Sequence, residues 1–438
     1  MKKIKRRATA ALLLAALILA GLALYIFRFA TDGDDWVMFP ANQHLYHEGV
    51  LDAGTLTDRN GVLLASAGNG IYRYAEDAAV RTACLHTVGD YARSIGTGAI
   101  AAFSERMAGY DPINGTYSRG DEPLALTIDA QLCKTAYEAL WGRNGAVLLS
   151  DYTTGEILCM TSAVSFDPVN IPDLSQEKYA GAYLNRCISS TFTPGSVLKL
   201  MTLAAAIENI DDLYDRRFLC TGSVEVGGDT VTCSGWHGEQ TIEQALANSC
   251  NCAFAELSLE LGGDTLEKYA EDLGLTTEHA LNGIPTAAGS FESAADGTSD
   301  LAWSGIGQYT DLVSPYAMLR LVSAVANGGE LTEPTLLPEG NGETRLLDRS
   351  TANALAEMMD YTVSYAYGDW LFPGLNICAK TGTAELGDGT SHAWFVGFLD
   401  DPDHPYAFVV MIEQGGGGLS QAGTLANTLL QKAVALTD

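Results

Sequence analysis

Basic residues are scarce in this 438-residue chain, which sets 25 Lys and Arg against 54 Asp and Glu for a net charge of −29. The first 28 residues hold six basic residues and no acid, so the remainder carries a net −35. A body that acidic repels phosphate backbones, which excludes nucleic acid as a partner. Proline is sparse at 13, and the 46 glycines follow no fixed period, which excludes collagen-like and low-complexity arrays. Aromatic residues at 9% and hydrophobic residues at 47% exclude a mostly disordered chain, and the length leaves room for two or three domains with cores of their own. The nine cysteines (84, 133, 159, 187, 220, 233, 250, 252, 378) are odd in number and, apart from the pair Cys250/Cys252, lack metal-ligand spacing, so no zinc site is read.

Long apolar runs are absent but for one. Ala8–Phe27 is twenty residues without a charge, about 30 Å as a helix, the thickness of a bilayer core. With Arg28 it reads as a single transmembrane anchor over 8–28. The basic cluster Lys2, Lys3, Lys5, Arg6 and Arg7 places residues 1–7 in the cytoplasm and everything after Arg28 outside it. A cleaved signal peptide is the competing reading. Against it, the run exceeds the usual apolar stretch of such peptides and ends at Arg28 rather than at a small-residue cleavage site. An exported body permits disulfides. The best-placed pair flanks a glycine-centred hairpin, Cys220-TGSVEVGGDTVT-Cys233, with two buried free thiols as the alternative.

Asp32–Asp35 reads as a short acidic linker. Residues 36–125 then mix strand-like pieces such as Gly61-VLLAS, a helix-like stretch around Ile100–Met107 and the turn-rich Asp111-PINGTYSRGDEP, a small module of their own. From 126 the pattern changes to a helix over Asp129–Trp141 and a strand, turn and strand through Ala146-VLLS, Asp151-YTTG and Glu156-ILCM, with Gly155 suited to positive φ. Three more strand-like runs, Leu375-NICAKTGT, Ala393-WFVGF and Tyr406-AFVVMIE, precede a glycine run (Gly415–Gly418) and a helix to Leu436. Five strands thus come from both ends of one domain whose middle, 195–330, is largely helical. This predicts an α+β fold: a five-stranded antiparallel sheet flanked by helices, with a helical lobe inserted.

Chemistry enters at Phe192-TPGSVLKLMTLAAAIE. Pro194-Gly195 ends an extended approach, so Ser196 opens a helix and Lys199 follows one turn later on the same face. A serine hydroxyl is a poor nucleophile until a base takes its proton, and a lysine buried enough to lose its charge can do so. The spacing recurs at Ser175/Lys178, in a polar stretch without a helix start, and a surface helix with a solvated lysine explains an isolated match equally well. Two further motifs change that weighting. Ser249-Cys250-Asn251 is the only Ser-x-Asn, and Lys380-Thr381-Gly382-Thr383 the only Lys-Thr-Gly. Alone, the first could be a helix cap and the second an edge-strand charge. In this order and context the three define a serine acyl-transfer site.

These motifs resemble those of class B penicillin-binding proteins. Ala53-GTLTDRNGVLLAS looks like the segment just outside the membrane in that family. Pro123-LALTIDAQLCKTAYEAL, Gly145-AVLLSDYTTGEILCMTS and Phe166-DPVN resemble the start of its transpeptidase domain, here 126–438. Ile306-GQ, Ser314-PYAML, Ala326-NGG and His392-AWFVGF resemble the stretches around its Lys-Thr-Gly strand. The resemblance covers most of 50–438, is weakest over 66–120, and implies a β-lactamase/transpeptidase-like fold.

It also implies a D,D-transpeptidase, with possible carboxypeptidase side activity, that cross-links peptidoglycan stem peptides and is acylated by β-lactam antibiotics. Ser196 would be the nucleophile and Lys199 its base, Ser249 would relay a proton, and Asn251 would hold the substrate amide and orient Lys199. Lys380, Thr381, Gly382 and Thr383 would form the carboxylate-binding strand, and the backbone N–H groups of Ser196 and Thr383 the oxyanion hole. No metal or organic cofactor is expected, and glycan polymerisation would fall to a separate partner enzyme. The competing functions are a serine β-lactamase, for which Glu278-HALN matches a Glu-x-x-Leu-Asn pattern, and a non-catalytic penicillin sensor or scaffold. The seven residues before the span leave a sensor no room for a signalling part.

Overall fold

The computed structural model describes residues 2–36, 46–47, 50–51, 54–68, 70–111, 116–117, 122–340 and 342–437. They fall into two compact units, a smaller one from Met1–Thr55, Ser66–Arg73 and Ser104–Pro123, and a larger one from Leu56–Ala65, Tyr74–Phe103 and Leu124–Asp438.

In the smaller unit the apolar run forms helix α1 (Lys2–Trp36). It is the one helix among the described residues long and apolar enough to cross a membrane, and its residues 2–30 are all exposed. The acidic stretch Asp32–Asp35, expected as a linker, instead continues the helix. Adding residues to a formed helix is cheap, and no proline intervenes before Trp36. Two short hairpins, Tyr46–His47 with Val50–Leu51 and Tyr110–Asp111 with Thr116–Tyr117, pack Leu51, Ala108 and Tyr117 together. Most of Asp111-PINGTYSRGDEP lies outside the described residues. The helix-like stretch around Ile100–Met107 is two four-residue turns, Ala99–Ala102 and Ser104–Met107.

The division of 36–125 between both units has a visible cause. Asp58, 1% exposed, accepts from the N–H groups of Asn60 (2.9 Å) and Val62 (2.8 Å) through one oxygen, and through the other from that of Ala130 (3.1 Å). It thereby ties the turn 58–62 to the start of helix α2 (Ala130–Leu140), whose N-cap Asp129 also accepts from the Asn60 side chain. Leu56 and Thr57 pair in parallel with Leu124 and Ala125. Arg81 grips Asp167 with two parallel bonds of 2.7 and 2.8 Å, fixing 74–103 to the same unit.

The larger unit is built on strands β1 (Gly145–Asp151) and β2 (Ile157–Ala163), helices α3 (Lys199–Asn209), α4 (Asn251–Leu261), α5 (Pro315–Ala326) and α6 (Arg349–Thr362), strands β3 (Ile377–Glu385), β4 (Ser391–Leu399) and β5 (Tyr406–Ile412), and helix α7 (Thr424–Thr437). The sheet is antiparallel throughout, in the order β2-β1-β5-β4-β3. Its register sets Val147 opposite Thr161 and Val410, Phe395 opposite Val410, and Lys380 opposite Val396. The first-chain strands and last-chain strands therefore join at the β1–β5 seam, as the sequence predicted. All seven residues of β2 and of β5 are buried, so helices cover both faces, which is why these strands read as unbroken apolar runs. The turn between β1 and β2 needs Gly155: its φ is +77°, and a Cβ there would lie 2.5 Å from the Glu333 carbonyl oxygen. The hairpin centred on Gly227-Gly228 also forms, with Val226 opposite Asp229 and both glycines at positive φ.

Candidate active site

Ser196 lies in a single 3₁₀ turn, Gly195–Val197, that leads into α3. The turn is pressed against β3: Gly195 has φ +55°, and a Cβ on it would meet the Thr383 carbonyl oxygen at 2.9 Å. From the other side a Cβ on Gly307 would reach the Gly195 carbonyl oxygen at 2.3 Å, and the Gly195 N–H donates to that residue's carbonyl (2.9 Å). Two elements, β3 and the segment at Gly307, thus clamp the serine turn, and only glycine admits so close an approach.

One helical turn on, Lys199 is 0% exposed. Its ammonium donates to the Ser249 carbonyl (2.7 Å), the Asn251 Oδ1 (2.8 Å) and the Ser249 Oγ (3.3 Å), and lies 5.3 Å from the centre of the Phe254 ring. Burial pushes its pKa down to about 8, against the opposing pull of the thiols of Cys250, Cys233 and Cys252. Lys380, also 0% exposed, donates to the Ser249 Oγ (3.0 Å) and the Thr381 carbonyl (2.9 Å). Burial, and then the charge of Lys199, hold its pKa well below the ordinary lysine value. The two lysines therefore meet at one hydroxyl. Ser249 is held there at φ +51°, a backbone conformation uncommon for a residue with a side chain. Asn251, the first residue of α4, also donates through Nδ2 to the Thr232 carbonyl (2.8 Å).

These groups open on a cleft of about 620 Å³ lined by Ser196, Ser249, Asn251, Thr381 and Thr383, with Trp303 and Gln308 on its wall. Gly382 is pinned behind it, since a Cβ there would stand 2.8 Å from the Pro194 carbonyl oxygen. The residues singled out from the sequence converge here, and the rival positions do not. Ser175 is exposed and bonds Asp173 (2.6 Å). Glu278 is exposed and is not among the cleft residues; beside it, Asn282 turns away to accept from the Leu336 N–H (2.7 Å).

Sequence reasoning missed two features. Tyr367, at the end of the turn after α6, accepts from the Thr381 N–H (2.9 Å) and contacts its Oγ1 (3.0 Å), steadying the Lys-Thr-Gly strand; it belongs to no motif. The cysteines also come together in a way their spacing did not show. Spacing argued against a zinc site, yet Cys220, Cys233, His237 and Cys250 bring four potential ligand atoms within 4.8 Å of one another, because the lobe folds the stretch 220–250 back onto one point. All nine cysteines are free thiols, Cys220 and Cys233 included.

A buried lysine one helical turn from a clamped serine, with a second lysine on the facing strand edge, is the arrangement that serine acyl transfer needs. The chain belongs to the penicillin-binding protein transpeptidase domain family, whose domain matches residues 145–431. Peptidoglycan D,D-transpeptidase PbpA of Mycolicibacterium smegmatis is 28% identical over 361 residues, covering 73% of this chain and 72% of its own. The ceftriaxone acyl-enzyme complex of penicillin-binding protein A from M. tuberculosis superposes with a TM-score of 0.76 at 23% identity, covering 87% of this chain and 98% of that one. The D,D-transpeptidase domain of a peptidoglycan glycosyltransferase from Eggerthella lenta gives 0.73 at 26% identity, covering 88% and 98%.

Proposed function

We propose that this chain is a membrane-anchored peptidoglycan D,D-transpeptidase that cross-links stem peptides through an acyl-serine intermediate, and that β-lactams acylate the same serine. The observation that carries this reading is the meeting of two buried lysines, one from α3 and one from β3, at the Ser249 hydroxyl beside Ser196. Lys199 in its neutral form takes the proton of Ser196 as Oγ attacks the carbonyl between two terminal D-alanines. The N–H groups of Ser196 and Thr383 hold the oxyanion. Collapse breaks the C–N bond, and Ser249 relays a proton to the departing amine. Lys380, Thr381 and Thr383 receive the terminal carboxylate, whose negative charge favours the cationic form of Lys380, so that an acidic protein accepts an anionic substrate. An amine of a neighbouring stem peptide then attacks the acyl-serine carbonyl and frees Ser196; attack by water instead would give the carboxypeptidase side reaction.

Residues 126–438 would carry this chemistry, with 36–125 non-catalytic, α1 anchoring the chain and the catalytic part outside the cytoplasm. Glycan strands would come from a separate polymerase. The β-lactamase alternative needs a carboxylate that activates water, and exposed Glu278 is not placed for it. A fluorescent penicillin tests the reading. It should label the protein and its Ser175→Ala variant but not Ser196→Ala, and the adduct should persist for many minutes to hours, unchanged in Glu278→Gln. A label on Ser175, or rapid turnover lost in Glu278→Gln, would defeat the assignment.

A further inference from the structure

Four potential ligands converge beside the cleft from four segments. Cys220 ends the strand Phe218–Cys220, Cys233 follows the strand Asp229–Thr232, His237 precedes the strand Gly238–Gln240, and Cys250 caps α4. The thiol of Cys233 lies 3.9 Å from that of Cys250 and 3.6 Å from Nδ1 of His237. A disulfide needs its sulfurs at about 2.05 Å, so neither distance is a bond. A tetrahedral zinc ion, with Zn–S near 2.3 Å and Zn–N near 2.0–2.1 Å, separates two sulfurs by about 3.8 Å and a sulfur from a nitrogen by about 3.6 Å. These two spacings match those edges, and all four ligand atoms lie within 4.8 Å of one another. Cys220 and Cys250 are buried, while Cys233 and His237 are partly exposed, which gives an ion a way in. The N–H of Asn251 donates to the Cys233 sulfur at 3.2 Å, the kind of outer hydrogen bond that orients a thiolate ligand.

We propose that Cys220, Cys233, His237 and Cys250 bind one zinc ion, a closed structural site that holds the Ser-x-Asn turn in its working shape. Cys250 sits between Ser249 and Asn251, the two residues that bond Lys199, and Ser249 stands at φ +51°. An ion fixed to the middle residue restrains both neighbours, and Cys220, Cys233 and His237 position the turn through that ion, Cys233 from the wall of the cleft. The metal site stands by itself; its effect on acylation rests on the function proposed above.

The test uses the full chain purified in detergent without chelator or reductant, with metal content read by mass spectrometry. One zinc per chain is expected in the parent, in Ser196→Ala, which cannot be acylated, and in Cys378→Ser, which loses a buried thiol outside the cluster. Less than a tenth of that is expected in Cys233→Ser. Cobalt exchanged into the parent should give the intense near-ultraviolet thiolate-to-cobalt absorption of a tetrahedral site, a readout that does not depend on any variant folding. His237→Ala should lower both zinc content and the penicillin acylation rate at least tenfold, and His237→Cys, which restores a fourth ligand, should recover both. A metal-free parent whose thiols are all free, or are paired as Cys220–Cys252 and Cys233–Cys250, would overturn the site. Unchanged acylation in zinc-free His237→Ala would overturn the positioning role, while a zinc-loaded Ser196→Ala that still takes penicillin would defeat the function and leave the metal site standing.

Discussion

The pH dependence of acylation follows from the surroundings of Lys199. The perturbation is pH alone, and the quantity is the second-order rate of penicillin acylation. Burial lowers the pKa of this lysine from its ordinary 10.5 to about 8, against the opposing pull of the thiols of Cys250, Cys233 and Cys252, and its ammonium donates to the Ser249 carbonyl and the Asn251 Oδ1. The base acts only when neutral. With a pKa near 8 the neutral fraction is about a tenth at pH 7 and about nine-tenths at pH 9, so the rate should rise roughly tenfold and then level off. A solvated lysine would behave otherwise: its neutral fraction would climb about a hundredfold over the same interval with no plateau. Stopped-flow quenching by a fluorescent penicillin from pH 6 to 10 separates the two curves. Asn251→Ala removes an acceptor for the ammonium and should move the midpoint to lower pH while reducing the plateau. A rate flat from pH 6.5 to 9, or still climbing at pH 10, would refute Lys199 as the base.

Lys380→Ala should slow acylation by about 10²–10³-fold, a loss of about 3–4 kcal/mol in the transition state, without lowering the melting temperature, because its burial already disfavours its charge; equal losses in rate and stability, read by acylation kinetics and calorimetry, would mark a structural role. Asp311 is 1% exposed, and burial pushes its carboxyl up to about 8. The folded state therefore holds a proton that the unfolded state releases near pH 4, and stability falls as pH rises between about 4 and 8, by up to about 1.4 kcal/mol per pH unit. Asp311→Asn should raise the melting temperature at pH 7.5 and have little effect at pH 4. Protease added to intact protoplasts should digest the chain beyond Arg28 and spare the short basic N-terminus; a protected C-terminal domain would overturn the proposed topology.

What could be read from sequence was what local periodicity encodes. Strands buried on both faces appear as apolar runs, and Tyr406-AFVVMIE needs no knowledge of its neighbours to be seen as one. The proposed acyl-transfer residues, which the fold brings to one cleft, were legible because each sits in a short motif at an element start or on a strand. Features made by tertiary convergence were not. Tyr367 reaches Thr381 only after a helix, a turn and an edge strand have packed. The Cys220–His237–Cys250 convergence is set by the folding of the lobe, not by any spacing, and the split of 36–125 turns on Asp58, whose capping of α2 joins residues 72 positions apart. The acidic stretch after the span was misread because composition reports solvation, while helix continuation depends on backbone bonds already in place.

The β1–β5 seam, where Val147 faces Val410, has a consequence for how the protein comes into being. A ribosome delivers the chain from its N-terminus, so β1 and β2 emerge early and wait for the last strand before their sheet can close. Every proposed acyl-transfer residue, from Ser196 to Thr383, is made before β4 and β5. A product cut short after Thr383 would hold the whole proposed reactive inventory without the sheet that frames it, because β3 reaches β1 only through the two missing strands. Pairing of such distant segments is slow, and until it is complete the apolar strands lie open to other chains. Activity is thereby tied to synthesis of the last strands: a copy without β4 and β5 lacks the frame that joins β3 to the rest of the sheet.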